Sequence, residues 1–191
     1  FRLSDLNEYQ YSNNGVSATV GHTFGKSIRG EFSVIGSQYA FSTIDKQDAN
    51  KAYTHDYKIE HYEIRADFNQ AISEKNTLEY GIGTVLYKLD RGTLEPYGEN
   101  SLRQKVELGN EKALESSLYI SDSYDVLPWL NLTVGGRFTM FTPMGPKTVY
   151  EYAPDLPKEP RNITDTLYFD ENKVIKRYNE PDVRVSMNFK T

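Results

Sequence analysis

The residues of this chain whose types could do chemistry are three histidines, one run of alternating charges and a Gly-x-Gly. His22, His55 and His61 are the only histidines, and there is no cysteine. None of the three stands in the spacing of HExxH, which would turn two imidazoles toward one metal. Without a thiolate, no cysteine-based zinc or redox site can form. His22 falls on an otherwise apolar strand face and reads as an interfacial or packed side chain. Glu63, Arg65 and Asp67 project from one strand face. Two carboxylates could share acid–base work, but with a guanidinium between them solvated residues in mutual ion pairs are expected. Gly81 and Gly83 have no helix after them and make no phosphate loop. Asn131-Leu132-Thr133 and Asn162-Ile163-Thr164 match the N-glycosylation pattern and are read as chance. No nucleophile, metal or acid–base constellation assembles, so neither an enzyme nor a cofactor is expected.

The elements that must position these residues show themselves by a period of two. Leu78, Tyr80, Ile82, Thr84 and Leu86 alternate with Glu79, Gly81, Gly83, Val85 and Tyr87. Leu132, Val134, Gly136, Phe138 and Met140 alternate with Thr133, Gly135, Arg137 and Thr139, and Val183, Val185, Met187 and Phe189 with Arg184, Ser186, Asn188 and Lys190. Such a period makes an extended strand with two unlike faces. Segments 15–24, 57–72 and 113–125 repeat the device, the last setting Leu114, Leu118 and Ile120 against Glu115 and Tyr119. In 27–44 the apolar phase moves from Phe32 and Val34 to Ile35, Tyr39 and Phe41, which predicts a β-bulge beside Gly36. About seven strands result.

The apolar faces of six of these strands carry no Asp, Glu, Lys or Arg, although 26% of the chain is charged. Two readings fit. Lipid exposure excludes charge, because an Arg or Lys at the bilayer midplane costs about 2–4 kcal/mol. The core face of a soluble β-sandwich excludes it as well. Strands of about 9–13 residues exceed the usual soluble length and match a tilted membrane strand. The connections Gly25–Lys26, Ser73–Asn76 and Val126–Leu130 are short, while Asp45–Asp56, Asp90–Asn110 and Thr142–Asn179 are long. That alternation belongs to a transmembrane barrel, with short periplasmic turns and long extracellular loops. Expected, then, is an all-β fold: a segment of an antiparallel up-and-down transmembrane β-barrel. Leu78, Tyr80, Ile82, Leu132, Val134, Phe138, Val183, Val185 and Phe189 would face lipid, and Glu79, Glu115, Tyr119 and Arg137 the lumen. The alternative is a soluble β-rich binding module, carbohydrate-binding for instance.

Composition agrees with the barrel. The chain has 191 residues, 22 Lys+Arg against 27 Asp+Glu, and no block of like charge, so nucleic-acid binding has little support. Aromatics reach 13%, with 15 Tyr and 9 Phe, and Tyr suits a boundary between apolar medium and water. A mean hydropathy of −0.65 is what alternation gives, and no stretch approaches the ~20 apolar residues of a membrane helix. Trp129, with Tyr124 and Leu127 at a short turn, fits an aromatic belt at the periplasmic interface, or alternatively a core Trp. The start at Phe1 without Met suggests a processed chain or a part of a longer one.

One stretch is more specific than a period. Leu118-Tyr119-Ile120-Ser121-Asp122-Ser123-Tyr124, then Leu127-Pro128-Trp129-Leu130, then Gly135-Gly136-Arg137-Phe138, resembles a strand–turn–strand of TonB-dependent outer-membrane receptors of the Bacteroidetes kind. Tyr178-Asn179-Glu180-Pro181-Asp182-Val183 is similar to the strand after a long loop in that family, with Asp182 where Arg is usual. The resemblance covers about the last 80 residues and the rest only in pattern. It implies a large barrel around a plug and energised uptake of a bulky nutrient: a siderophore, glycan or peptide. Its partners would be outer-membrane lipid, the TonB complex through a plug not in this chain, and a surface lipoprotein. Phe189-Lys190-Thr191 reads as an interior strand of such a barrel.

Ligand contacts would lie in the long loops, with Arg91, Tyr97, Tyr150, Tyr152 and Arg161 as candidates, since Tyr and Arg recur at binding sites. The loop 142–179 mixes aromatics with Pro154, Pro157 and Pro160 and is expected to be ordered, with Leu167–Phe169 pairing Val174–Ile175. Ligand or partner capture and simple capping of the barrel mouth are both open roles for it.

Overall fold

The computed structural model describes residues 7–189, so Lys190 and Thr191 of the last predicted strand lie outside the described residues. Alternation becomes a single antiparallel meander. Strands β1 (Glu8–Phe24), β2 (Ile28–Asp45), β3 (Tyr53–Ser73), β4 (Asn76–Pro96), β6 (Asn110–Leu127), β7 (Leu130–Met144) and β10 (Tyr178–Phe189) pair in that spatial order. Two-residue β5 (Val106–Glu107) adds to β4, and β8 (Lys147–Tyr152) with β9 (Ile163–Phe169) makes a separate hairpin. There are thus ten strands rather than about seven. The three short ones arise inside the predicted loops, where alternation is too brief to read. Among the described residues β1 and β10 each have one neighbour, and no closed barrel forms.

Register decides which faces join. Val34 pairs Ala18 and Ile64, and Ile64 pairs Thr84. Ile82 pairs Leu118, which pairs Phe138, and Val134 pairs Val185. The separately read apolar faces therefore become one continuous belt across seven strands. Leu78, Tyr80, Ile82, Leu132, Val134, Phe138, Val183, Val185 and Phe189 all lie on it, and Glu79, Glu115, Tyr119 and Arg137 lie on the opposite face. The belt is not wholly free of charge. Asp122 sits on it opposite Leu78 and Val134, near the short-turn end, and accepts from Asn76 Nδ2 at 2.6 Å.

Among the described residues no second layer covers the belt. Ala52 is the only buried apolar residue among those described, and Ile82, Val185 and Val183 are 61%, 59% and 77% exposed. A β-sandwich would bury such a face against another sheet.

Two expectations are corrected. No register shift occurs at Gly36, where β2 pairs both neighbours without interruption. The apolar phase changes there because the two faces exchange character, not because the strand slips. A bulge lies instead in β4 at Arg91–Gly92, between the pairs Asp56–Thr93 and Lys58–Asp90, and further register shifts fall beside the short turns, at Ala71–Ser73 and Asp125–Leu127. Gly92 has φ +71°, and a Cβ there would stand 1.5 Å from the Asp56 carbonyl oxygen, so glycine is required. The predicted hairpin between Leu167–Phe169 and Val174–Ile175 does not form either. Phe169 pairs Lys147 and Leu167 pairs Val149, while Val174 bridges Met144.

Candidate functional site

The face opposite the belt carries the polar chemistry. Arg65 Nε lies 2.7 Å from Asp67 Oδ2, and Arg65 Nη1 lies 3.6 Å from Glu63. His61 Nε2 is 3.1 Å from Glu63 Oε2. The Tyr119 hydroxyl donates to Asp67 Oδ1 at 2.8 Å, and the Arg137 guanidinium stands over the Tyr119 ring at 5.5 Å. Asn69 donates to Glu79 at 3.2 Å. Contacts on four adjacent strands set the Arg65 guanidinium between the Glu63 and Asp67 carboxylates and bring Tyr119 onto Asp67. Gly81 makes this possible. A Cβ there would come within 2.6 Å of Tyr119 Cε1 and 2.8 Å of the Ala66 carbonyl oxygen, so the ring lies over bare backbone. The arrangement braces a wall. It offers no free base beside a nucleophile, and no group of three His, Cys, Asp or Glu able to hold a metal exists among the described residues.

Rings mark the short-turn end of the belt. Phe68 stacks on Tyr80 at 5.2 Å and meets Phe32 edge-on at 5.7 Å, while His22 meets Phe24 edge-on at 4.5 Å. Trp129 stacks on Phe189 at 6.1 Å. Trp129 is 50% exposed, so it is not a core residue of this chain.

The predicted loop candidates scatter. Arg91 lies in β4 rather than in a loop. It donates to the Leu108 carbonyl and stands 3.8 Å from Glu111, so it closes the bulge. Tyr97 follows β4 and lies under Lys46 Nζ at 5.2 Å. Tyr150 and Tyr152 belong to β8, while Arg161 sits in a 3-10 turn at Pro160–Asn162 and pairs with Glu159 at 2.7 Å. The hairpin is fastened at its base, where Lys147 reaches Glu111 at 3.1 Å and Lys112 reaches Glu171 at 2.5 Å. The Lys112 ammonium, by hydrogen bond and charge, holds the Glu171 carboxyl below the usual carboxylate range.

A group that sequence reading missed stands at the long-loop end, on the same face as the polar network. Phe41 lies 5.0 Å from Tyr57 and 6.0 Å from Tyr9, and Tyr57 lies 6.2 Å from Tyr39 and 5.8 Å from His55. Its signal was present in the phase change after Gly36.

No protein family, curated protein or solved structure matches this chain.

Proposed function

We propose that this chain is part of the wall of an outer-membrane β-barrel receptor that takes up a bulky nutrient with energy relayed by TonB. The observation that supports it is the belt. Seven strands align their apolar residues in register, leave them uncovered, and back them with a polar network. In water that face would drive association, whereas in a bilayer it meets its own kind. Each strand crosses the belt in about 9–11 residues, the span of a tilted membrane strand. The rings around Phe68, Trp129 and Phe189 then form the periplasmic aromatic girdle. The short turns face the periplasm, the long loops face outward, and Glu79, Glu115, Tyr119 and Arg137 face the lumen. The free edges of β1 and β10 need strand partners, because unpaired backbone is not tolerated in hydrocarbon. A nutrient path, a plug and a surface lipoprotein partner follow from the family resemblance alone.

The test places spin labels at Ile82 and Val134 in the whole protein in a bilayer. Labels in hydrocarbon are expected, and labels in bulk water would refute the membrane wall. Loss of energised uptake in cells lacking TonB tests the receptor half of the proposal.

A further inference from the structure

Above the belt the wall changes sides. Strands β2, β3 and β4 continue roughly 9 residues past the row Gly36–Tyr62–Leu86, about 30 Å of strand. Because register is unbroken through Gly36, each backbone face continues upward, but its side chains differ. The belt face goes on as Gln10, Ser12 and Asn14 of β1, Gln38 and Ser42 of β2, Asp56, Lys58 and Glu60 of β3, and Lys88 and Asp90 of β4. Lys58 and Glu60 pair there at 2.9 Å. The network face goes on as three rows: Tyr9–Thr43–His55, Tyr11–Phe41–Tyr57 and Asn13–Tyr39–Ile59. These rows hold no Asp, Glu, Lys or Arg, although the same face lower down carries Glu31, Arg65 and Asp67.

We infer that the upper part of β1–β4 is a collar standing outside the membrane, wet on its outward side, whose inward aromatic rows bind a neutral oligosaccharide. The inference rests on the membrane-wall reading. The chemistry of the rows selects the ligand. Saccharide rings present C–H faces that lie on aromatic planes and hydroxyl edges that pair with phenols, and Tyr supplies both surfaces. A wholly apolar ligand would have to cover the exposed Tyr11 phenol without offering it a hydrogen-bond partner, at a cost in free energy. An anionic ligand would find no Lys or Arg in the rows themselves, and the nearby Lys46 is paired with Glu8 and lies over Tyr97. His55 is held to the Arg91 carbonyl oxygen at 2.8 Å. Tyr9 and Tyr11, 61% and 77% exposed, leave the rows open.

Two measurements on the whole protein in a bilayer test this. Single cysteines at Val34, Ser42 and Tyr11 are treated with a membrane-impermeant maleimide. Val34→Cys should be protected while Ser42→Cys and Tyr11→Cys react. Reaction at Val34→Cys would refute the membrane reading itself. Protection of both Val34→Cys and Ser42→Cys would overturn the collar, and protection of Tyr11→Cys alone would show protein covering the rows and overturn the ligand wall. The detergent-solubilised protein is then tested on an array of neutral oligosaccharides. Tyr57→Ala should lose about tenfold or more in affinity, the worth of one ring contact, and Ser42→Ala should not. Heat-modifiable mobility confirms folding, and Tyr11→Ala replaces Tyr57→Ala if the latter fails to fold. No bound sugar, or equal binding by the ring variants, overturns the proposal.

Discussion

At the residue scale the chain is governed by how closely backbone and rings approach. Gly81 and Gly83 occupy one strand face two residues apart, yet they do different work. A Cβ at Gly81 would press on the Tyr119 ring and on the Ala66 carbonyl, whereas at Gly83 the nearest atom would be 3.7 Å away, an ordinary contact. Gly81→Ala is therefore expected to destabilise the whole protein by about 1–3 kcal/mol through overpacking. Gly83→Ala should stay within about 0.5 kcal/mol. Denaturant unfolding midpoints in micelles measure both, and equal shifts would contradict the packing of Tyr119 over Gly81. The sequence showed two small residues on a polar face, but only the register of β3, β4 and β6 shows which of them lies under a ring.

At the scale of the element, the informative unit is a strand with two faces. Thr133 and Val134 are neighbours in β7 and point to opposite sides of the sheet. Val134→Arg should cost about 2–4 kcal/mol if the belt lies in hydrocarbon near its midplane, and Thr133→Arg much less. Folding titrations into lipid vesicles compare them, and similar costs would remove the distinction between the faces. The hairpin β8–β9 poses a different question, because it is ordered and fastened at its base by Glu111 and Lys112 rather than packed on the belt. Replacing 146–175 by a short Gly/Ser link in the whole protein should leave the sheet folded and, on the proposed membrane reading, still inserted. If the hairpin captures ligand or partner, nutrient affinity and uptake fall. Unchanged uptake would leave it as a cap on the mouth.

At the scale of the molecule, the sheet of the described residues has two open edges and one uncovered apolar face. Expressed by itself in detergent-free buffer, residues 1–191 should associate rather than persist as a folded monomer. Analytical ultracentrifugation reads this, and a stable monomer would return the case to a soluble binding module. The sequence by itself determined the all-β class, the seven long strands and the side to which the apolar residues point where alternation is unbroken. These depend on a local period of two, which survives in any single strand. It did not determine that the faces of seven strands join into one belt, that Asp122 lies on that belt, or that the bulge falls at Gly92 rather than Gly36. Nor did it show that the faces exchange polarity above Gly36. Those facts depend on which residue lies opposite which, set by hydrogen-bond register between segments far apart in the chain. A phase change within one strand looks the same whether the backbone slips or the surroundings change. Only the unbroken pairing of β2 with both neighbours separates the two.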